Sequence, residues 1–124
     1  MSFEVTVIKE FAAAHRLNNY SGNCSRVHGH TWKIELVVAG KDLDDIGMHI
    51  DFRYLKSVLS QIIDVYDHTY LNEIEPFNEI NPTAENVAKE IYQKATELLV
   101  DYKVQMVKVW ESSSAYVTYK EEYI

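Results

Sequence analysis

Apolar and polar residues alternate from the start of the chain. Val5 and Val7 stand between Glu4 and Thr6, and Phe11, Ala13 and His15 continue the same odd-numbered face, so residues 3–13 predict a β-strand. Ile8 interrupts the alternation. Residues 17–27 lose any period and include Asn18-Asn19-Tyr20-Ser21-Gly22-Asn23, which reads as a loop. Alternation returns at 31–39, where Trp32, Ile34, Leu36 and Val38 share one face and Lys33 and Glu35 the other. A turn follows over residues 40–47. The period then changes from two to 3.6. Leu55, Val58, Leu59, Ile62 and Ile63 form one stripe of a helix running from Phe52 to about Tyr66, with Asp51 as its N-cap. Asn81-Pro82-Thr83 opens a second helix, capped by Thr83 and favoured by Glu85 in its first turn. Val87, Ala88, Ile91, Tyr92, Ala95, Leu98 and Leu99 make up its buried face. Two further strands, near 103–110 and 116–121, close the chain.

The order is β-β-α-α-β-β, an α+β class. Hairpins at both ends predict a four-stranded antiparallel sheet with both helices on one face. Its other face would carry Trp32 or Trp110 and several tyrosines. An open sheet has two unpaired edges, which attract further strands unless they are covered. A homo-oligomer that joins edges into a barrel would remove both.

Composition narrows the classes. The 124 residues are expected to form a single domain, 1–124, and at 47% hydrophobic they can bury a core. No apolar run reaches the ~18 residues of a membrane span, and the N-terminal residues lack the basic and apolar regions of a leader, so no membrane partner is expected. The net charge of −7 disfavours nucleic acid as a partner, because sequence-independent binding rests on Lys and Arg neutralising phosphates. One cysteine cannot form a disulfide within the chain, which makes a reducing cytoplasmic compartment the simplest location.

The candidate chemistry lies in three short segments. His15 ends the first strand, and His28-Gly29-His30 precedes Trp32 with the same parity. If strand geometry begins by His28, both imidazoles project from one face. Three imidazoles without Cys-x-x-Cys pairs suit an open metal site rather than a closed structural one. Cys24 lies four residues before His28, among polar neighbours that include Arg26. A cation nearby would favour its thiolate, although most free cysteines are small buried hydrophobes. Asp67-His68 is either a solvated loop pair or a carboxylate orienting an imidazole for proton transfer, and spacing does not decide between them. Glu111 ends a strongly apolar strand. It is either a surface carboxylate or an anchor accepting two hydrogen bonds from a guanidine-like edge.

Read together, these residues resemble a known family. Ala13-Ala14-His15-Arg16-Leu17, Cys24-x-x-x-His28-Gly29-His30, Ile50-Asp51-Phe52, Asp67-His68-x-x-Leu71-Asn72 and Asn81-Pro82-Thr83-x-Glu85 are similar, in order and over nearly the whole chain, to the 6-pyruvoyltetrahydropterin synthase superfamily. The gap between Cys24 and His28 resembles its bacterial 6-carboxytetrahydropterin synthase branch, of the queuosine pathway. The resemblance implies a tunnelling fold that closes into a barrel as a homotrimer or a homohexamer of two trimers, with active sites between subunits. It implies a lyase acting on 7,8-dihydroneopterin triphosphate, with Zn2+ held by His15, His28 and His30. It implies Cys24 as the catalytic thiol, Asp67 and His68 as acid–base partners, and Glu111 as the anchor of the pterin ring. Tyr66, where an aliphatic residue commonly precedes Asp-His, and Ser112, where threonine commonly follows the glutamate, depart from the pattern. Arg16, Arg26 and Lys33 are candidates for the triphosphate. Rival readings are the 6-pyruvoyl reaction on the same scaffold and a zinc-stabilised pterin-binding oligomer without turnover.

Overall fold

The computed structural model describes residues 2–19, 22 and 25–121. Strand β1 (Phe3–His15) pairs antiparallel with β2 (His28–Gly40) in an unbroken register from Phe3 opposite Gly40 to His15 opposite His28. Both strands run further than the hydrophobic alternation alone indicates, because the histidines continue the ladder beyond its apolar part. Helix α1 (Phe52–Ile63) begins where Asp51 accepts a hydrogen bond from the Arg53 amide, and its five stripe residues are all buried. It ends three residues before Tyr66. The chain turns after Asp64, and the Tyr66 ring enters the core from the turn.

The expectation of a four-stranded antiparallel sheet needs correction. Thr69–Tyr70 forms a short strand, β3, that pairs parallel with Ala13 and Ala14 of β1. The sheet is therefore mixed and five-stranded, in the order β3-β1-β2-β4-β5, and the element order is β-β-α-β-α-β-β. Two residues cannot show a period, and the pairing is held from outside the strand. The Ala12 carbonyl accepts from the His68 amide, and the Ala12 amide donates to Asp67. A 3-10 turn (Leu71–Glu73) follows.

Helix α2 (Ala84–Leu98) starts at Thr83, whose hydroxyl accepts from the Asn86 amide. Its buried face is as the spacing predicts except at Leu98, which is exposed while Leu99 turns inward. Strand β4 (Lys103–Ser112) pairs with β2, and β5 (Ala115–Tyr119) pairs with β4. Both helices cover one face. α1 packs on β1, α2 packs on β4 and β5, and the helices touch each other. Between them lie Val7, Phe11, Trp32, Ile34, Leu36, Leu55, Leu59, Ile91 and Val107, among others. Each fully buried aliphatic side chain contributes about 1.5–3 kcal/mol relative to exposure.

The two tryptophans divide between the faces. Trp32 is fully buried under the helices, so only Trp110 belongs to the open face, beside Tyr116 and under the Lys33 ammonium. β3 pairs with β1 only at Ala13 and Ala14. The edge of β1 before Ala13 and the outer edge of β5 thus have no strand partner among the described residues. No helix among the described residues is long and apolar enough to cross a membrane.

Candidate metal centre

The β1–β2 ladder brings the histidines together. His15 and His28 face each other in the last pair of the register, and His30 lies opposite Ala13 on the same side. Strand alternation turns all three rings toward the helix-covered face, where His15 and His30 meet Trp32. Ring centroids are 4.5 Å apart for His15 and His28, 5.1 Å for His15 and His30, and 4.8 Å for His28 and His30. Trp32 closes the site from below, edge-on to His15 at 4.9 Å, and its indole N–H donates to the Ala13 carbonyl.

The surroundings fix how the rings face. His15 is 1% exposed, and its Nδ1 donates to the Pro82 carbonyl at 2.8 Å. His28 Nδ1 donates to the Arg26 carbonyl at 2.7 Å. Such bonds select the tautomer that leaves an Nε2 lone pair for a metal. Nε2 of His15 and Nε2 of His30 are buried and have no hydrogen-bond partner among the described residues. Burial holds both imidazoles below the ordinary histidine range by disfavouring the charged form, against the opposing pull of the Glu111 carboxylate. Neutral rings with buried, unpaired nitrogens are a donor set for a divalent cation. Imidazole serves zinc, copper, iron and nickel alike.

Glu111 joins the cluster. Its Oε1 stands 3.2 Å from His30 Nε2 and 4.0 Å from His15 Nε2. One donor atom from each of His15, His28, His30 and Glu111 lies within 4.8 Å of the others. The glutamate reaches the site from a β-bulge. The β4–β5 register shifts between Trp110 and Ser112, which leaves Glu111 as the extra residue. Bulges of this kind re-aim a side chain.

The Asp67–His68 pair occupies the neighbouring β1–β3 junction. Asp67 Oδ2 is 3.0 Å from His68 Nδ1. The hydrogen bond from the Ala12 amide, aided by His68, holds the Asp67 carboxyl below the usual carboxylate range. His68 adopts φ 59°, the left-handed region in which a side chain with a Cβ is strained. Its exposed ring and His30 share a shallow depression lined also by Ala12, Ala14, Gly29 and Thr31. Cys24 lies outside the described residues. Of the cationic candidates, Lys33 lies on the opposite face over Trp110, 4.2 Å from the ring centroid, while Arg16 and Arg26 flank the histidine segments.

Two asparagines with no role assigned from the sequence complete the frame. The Asn72 side chain accepts from the Arg16 amide and donates to the Arg16 carbonyl, both at 2.9 Å. Asn81 brackets Asn18 in the same way at 2.8 and 2.9 Å. Together they pin the chain leaving His15 against the segment that supplies the Pro82 carbonyl. Their presence in Leu71-Asn72 and Asn81-Pro82-Thr83 is the only sequence signal of this.

Fold and site define a small α+β domain with a histidine-rich candidate metal centre at one end of its sheet. Residues 4–122 match the model of the 6-pyruvoyl tetrahydropterin synthase family, and the chain belongs to that family. It is 38% identical to a Bacillus subtilis 6-carboxy-5,6,7,8-tetrahydropterin synthase, over 96% of this chain and 86% of the relative. It is 33% identical to the Synechocystis enzyme of the same name, over 89% of this chain and 91% of the relative. Among solved structures, the Caenorhabditis elegans 6-pyruvoyl tetrahydropterin synthase superposes with a TM-score of 0.86 at 26% identity, covering 98% of this chain and 97% of that one.

Proposed function

We propose that residues 1–124 form one zinc-dependent lyase domain that converts 7,8-dihydroneopterin triphosphate and water to 6-carboxy-5,6,7,8-tetrahydropterin, acetaldehyde and triphosphate, as a cytoplasmic step toward queuosine. The observation that carries this reading is the convergence of His15, His28 and His30 in a chain so similar to enzymes named for that product. The orphaned Nε2 atoms of His15 and His30 support a resident metal there. Zinc, when bound, supplies a Lewis acid that lowers the cost of negative charge on side-chain oxygens of the substrate.

The chain's own residues supply the rest. Cys24, as thiolate, removes a proton from the substrate side chain. Asp67 stays ionised and holds the Nδ1–H of His68, which leaves Nε2 of His68 to give or take a proton. Glu111 accepts the N–H edge of the pterin ring and keeps the reacting carbons in reach, a positioning effect. The unpaired edges of β1 and β5 support assembly as a homotrimer or homohexamer.

Incubating the zinc-loaded protein with 7,8-dihydroneopterin triphosphate tests the proposal. Mass analysis is expected to show the carboxy product with release of acetaldehyde. The likeness to the Caenorhabditis elegans enzyme favours a second reading, elimination of triphosphate to the 6-pyruvoyl product, which releases no acetaldehyde. No turnover of any pterin would overturn both.

A further inference from the structure

We propose that Glu111 is an exchangeable fourth ligand, completing the histidine site at rest and leaving it when a pterin ring takes the carboxylate. This rests on the pterin reading above and adds a second use of the same side chain.

Geometry is the first support. Around a four-coordinate zinc with bonds of about 2.0–2.1 Å, neighbouring donor atoms stand roughly 3.3 Å apart. Glu111 Oε1 lies 3.2 Å from His30 Nε2, at that tetrahedral edge, and 4.0 Å from His15 Nε2, a set of donors that must draw together slightly around an ion.

Placement is the second. Continued one step, the β2–β4 register sets Glu111 opposite Trp32, on the face that carries His30. The bulge at Glu111 frees its backbone from the β5 ladder, so its side chain can swing without breaking a strand pair.

Unequal bracing is the third. His15 and His28 are tied to backbone carbonyls. Among the described residues the Glu111 carboxylate pairs only with the imidazoles, and its side chain is 34% exposed against 1% for His15 and 22% for His30. Of the two donors without a backbone brace, His30 is held in the β2 ladder beside Trp32, and Glu111, the more exposed, is the one that can leave.

The two uses compete for one carboxylate. Accepting the paired N–H groups of a planar guanidine-like edge engages both of its oxygens and fixes its plane on the ring. Ring binding would then draw the carboxylate from the imidazoles and open one coordination position as the substrate side chain arrives to fill it. Without a ring the position stays closed to water and adventitious anions.

The test compares wild type with Glu111→Gln, which keeps size and shape but is a poor ligand. Zinc affinity by chelator competition is expected to fall about 10-fold or more in the variant. With Co2+ in place of zinc, the visible spectrum of the resting wild type is expected to differ from that of the variant. It is expected to change when 7,8-dihydroneopterin binds, with binding followed separately by pterin fluorescence. Equal zinc affinity and identical cobalt spectra in the two proteins would overturn the proposal. Binding of the pterin to wild type without a spectral change would overturn it while leaving the pterin reading intact. No pterin binding at all would defeat both.

Discussion

The Ala12 amide donates to Asp67 Oδ1 at 2.9 Å, so a carboxylate from the turn after α1 is fixed to the strand that carries His15. The same amide is the main reason that the Asp67 carboxyl titrates below the ordinary range. A depressed folded value means that the contribution is complete above the unfolded pKa of about 3.9 and is lost as pH falls through the folded value. Asp67 is therefore expected to stay ionised at every pH where His68 works, and the acid limb of activity is expected not to belong to it. Asp67→Asn keeps the shape but lets the amide present an N–H to His68, which favours the wrong ring tautomer. Turnover is expected to drop by about 10²–10⁴ with metal content unchanged. Elemental analysis beside a rate assay checks both halves, and a near-normal rate would remove Asp67 from the machinery.

Cys24→Ala is expected to abolish most turnover, by about 10²–10⁴, while zinc stays at the wild-type ratio. A thiol that moves a proton has no substitute in alanine, whereas a thiol with no chemical role has nothing to lose. Wild-type rates in the variant would refute the assignment.

His15→Ala and His28→Ala are both expected to lose metal, but they differ in the metal-free protein. His15 is buried, and its removal leaves a cavity and strands the Pro82 carbonyl. That is expected to cost about 1–3 kcal/mol in urea unfolding of the metal-free form. The partner carbonyl of His28 lies in an exposed segment where water can replace the ring, and its loss is expected to cost under about 1 kcal/mol. Equal costs would mean that burial does not separate the two ligands.

Much of this site was legible because strand parity is a strong constraint. His15, His28 and His30 could be placed on one face from their numbering, and the register sets His15 opposite His28. Both N-caps, Asp51 and Thr83, were legible for a similar reason, since the side chain that closes a helix is local to it. What was not legible depends on contacts far apart in sequence. β3 has two residues and no period, and it is held by Ala12 through His68 and Asp67. Glu111 shares the parity of Val107 and Val109, but its approach to the imidazoles depends on the β2–β4 register, which sets it opposite Trp32 and joins residues far apart in sequence. Trp32 and Trp110 could not be assigned to faces by hydrophobicity, because tryptophan serves a core and an amphipathic face equally well. The apolar stripe of α1 does not mark where the helix stops: it ends at Ile63, and the buried Tyr66 ring enters the core from the turn beyond it.

Tyr66, the departure from the family pattern, is expected to matter for packing more than for its hydroxyl. Its ring is fully buried between Phe11 and Phe77, at centroid distances of 5.7 and 5.9 Å. Lys94 Nζ donates to its oxygen at 3.1 Å, and burial still pushes the phenol above its ordinary range, so it is neutral. Tyr66→Phe removes one hydrogen bond and is expected to cost about 0.5–1.5 kcal/mol. Tyr66→Ala empties a core position beside Asp67 and is expected to cost about 3–5 kcal/mol. Urea unfolding of the two variants separates these contributions, and equal costs would assign the effect to the hydroxyl.

Gly40 ends β2 at the far side of the sheet from His28, about 40 Å along the strand at ~3.3 Å per residue. A Cβ there would collide with Cε1 and Nε2 of the His49 ring. The His49 ring has little room to retreat, since its Nδ1 donates to the Asp42 carbonyl at 2.8 Å and Tyr102 lies edge-on at 5.7 Å. Gly40→Ala is expected to destabilise by about 1–3 kcal/mol through overpacking. The same change in a His49→Ala background removes the clash, and there alanine is expected to be neutral or to stabilise by about 0.5–1 kcal/mol, because it loses less conformational freedom than glycine on folding. The cycle thus predicts a coupling of about 1–3 kcal/mol between two residues that never touch the metal site. Metal content is expected to stay normal in all four proteins, because the strain is confined to the opposite end of the ladder. An equal cost of Gly40→Ala in both backgrounds would show that the His49 ring is not what reserves this position for glycine.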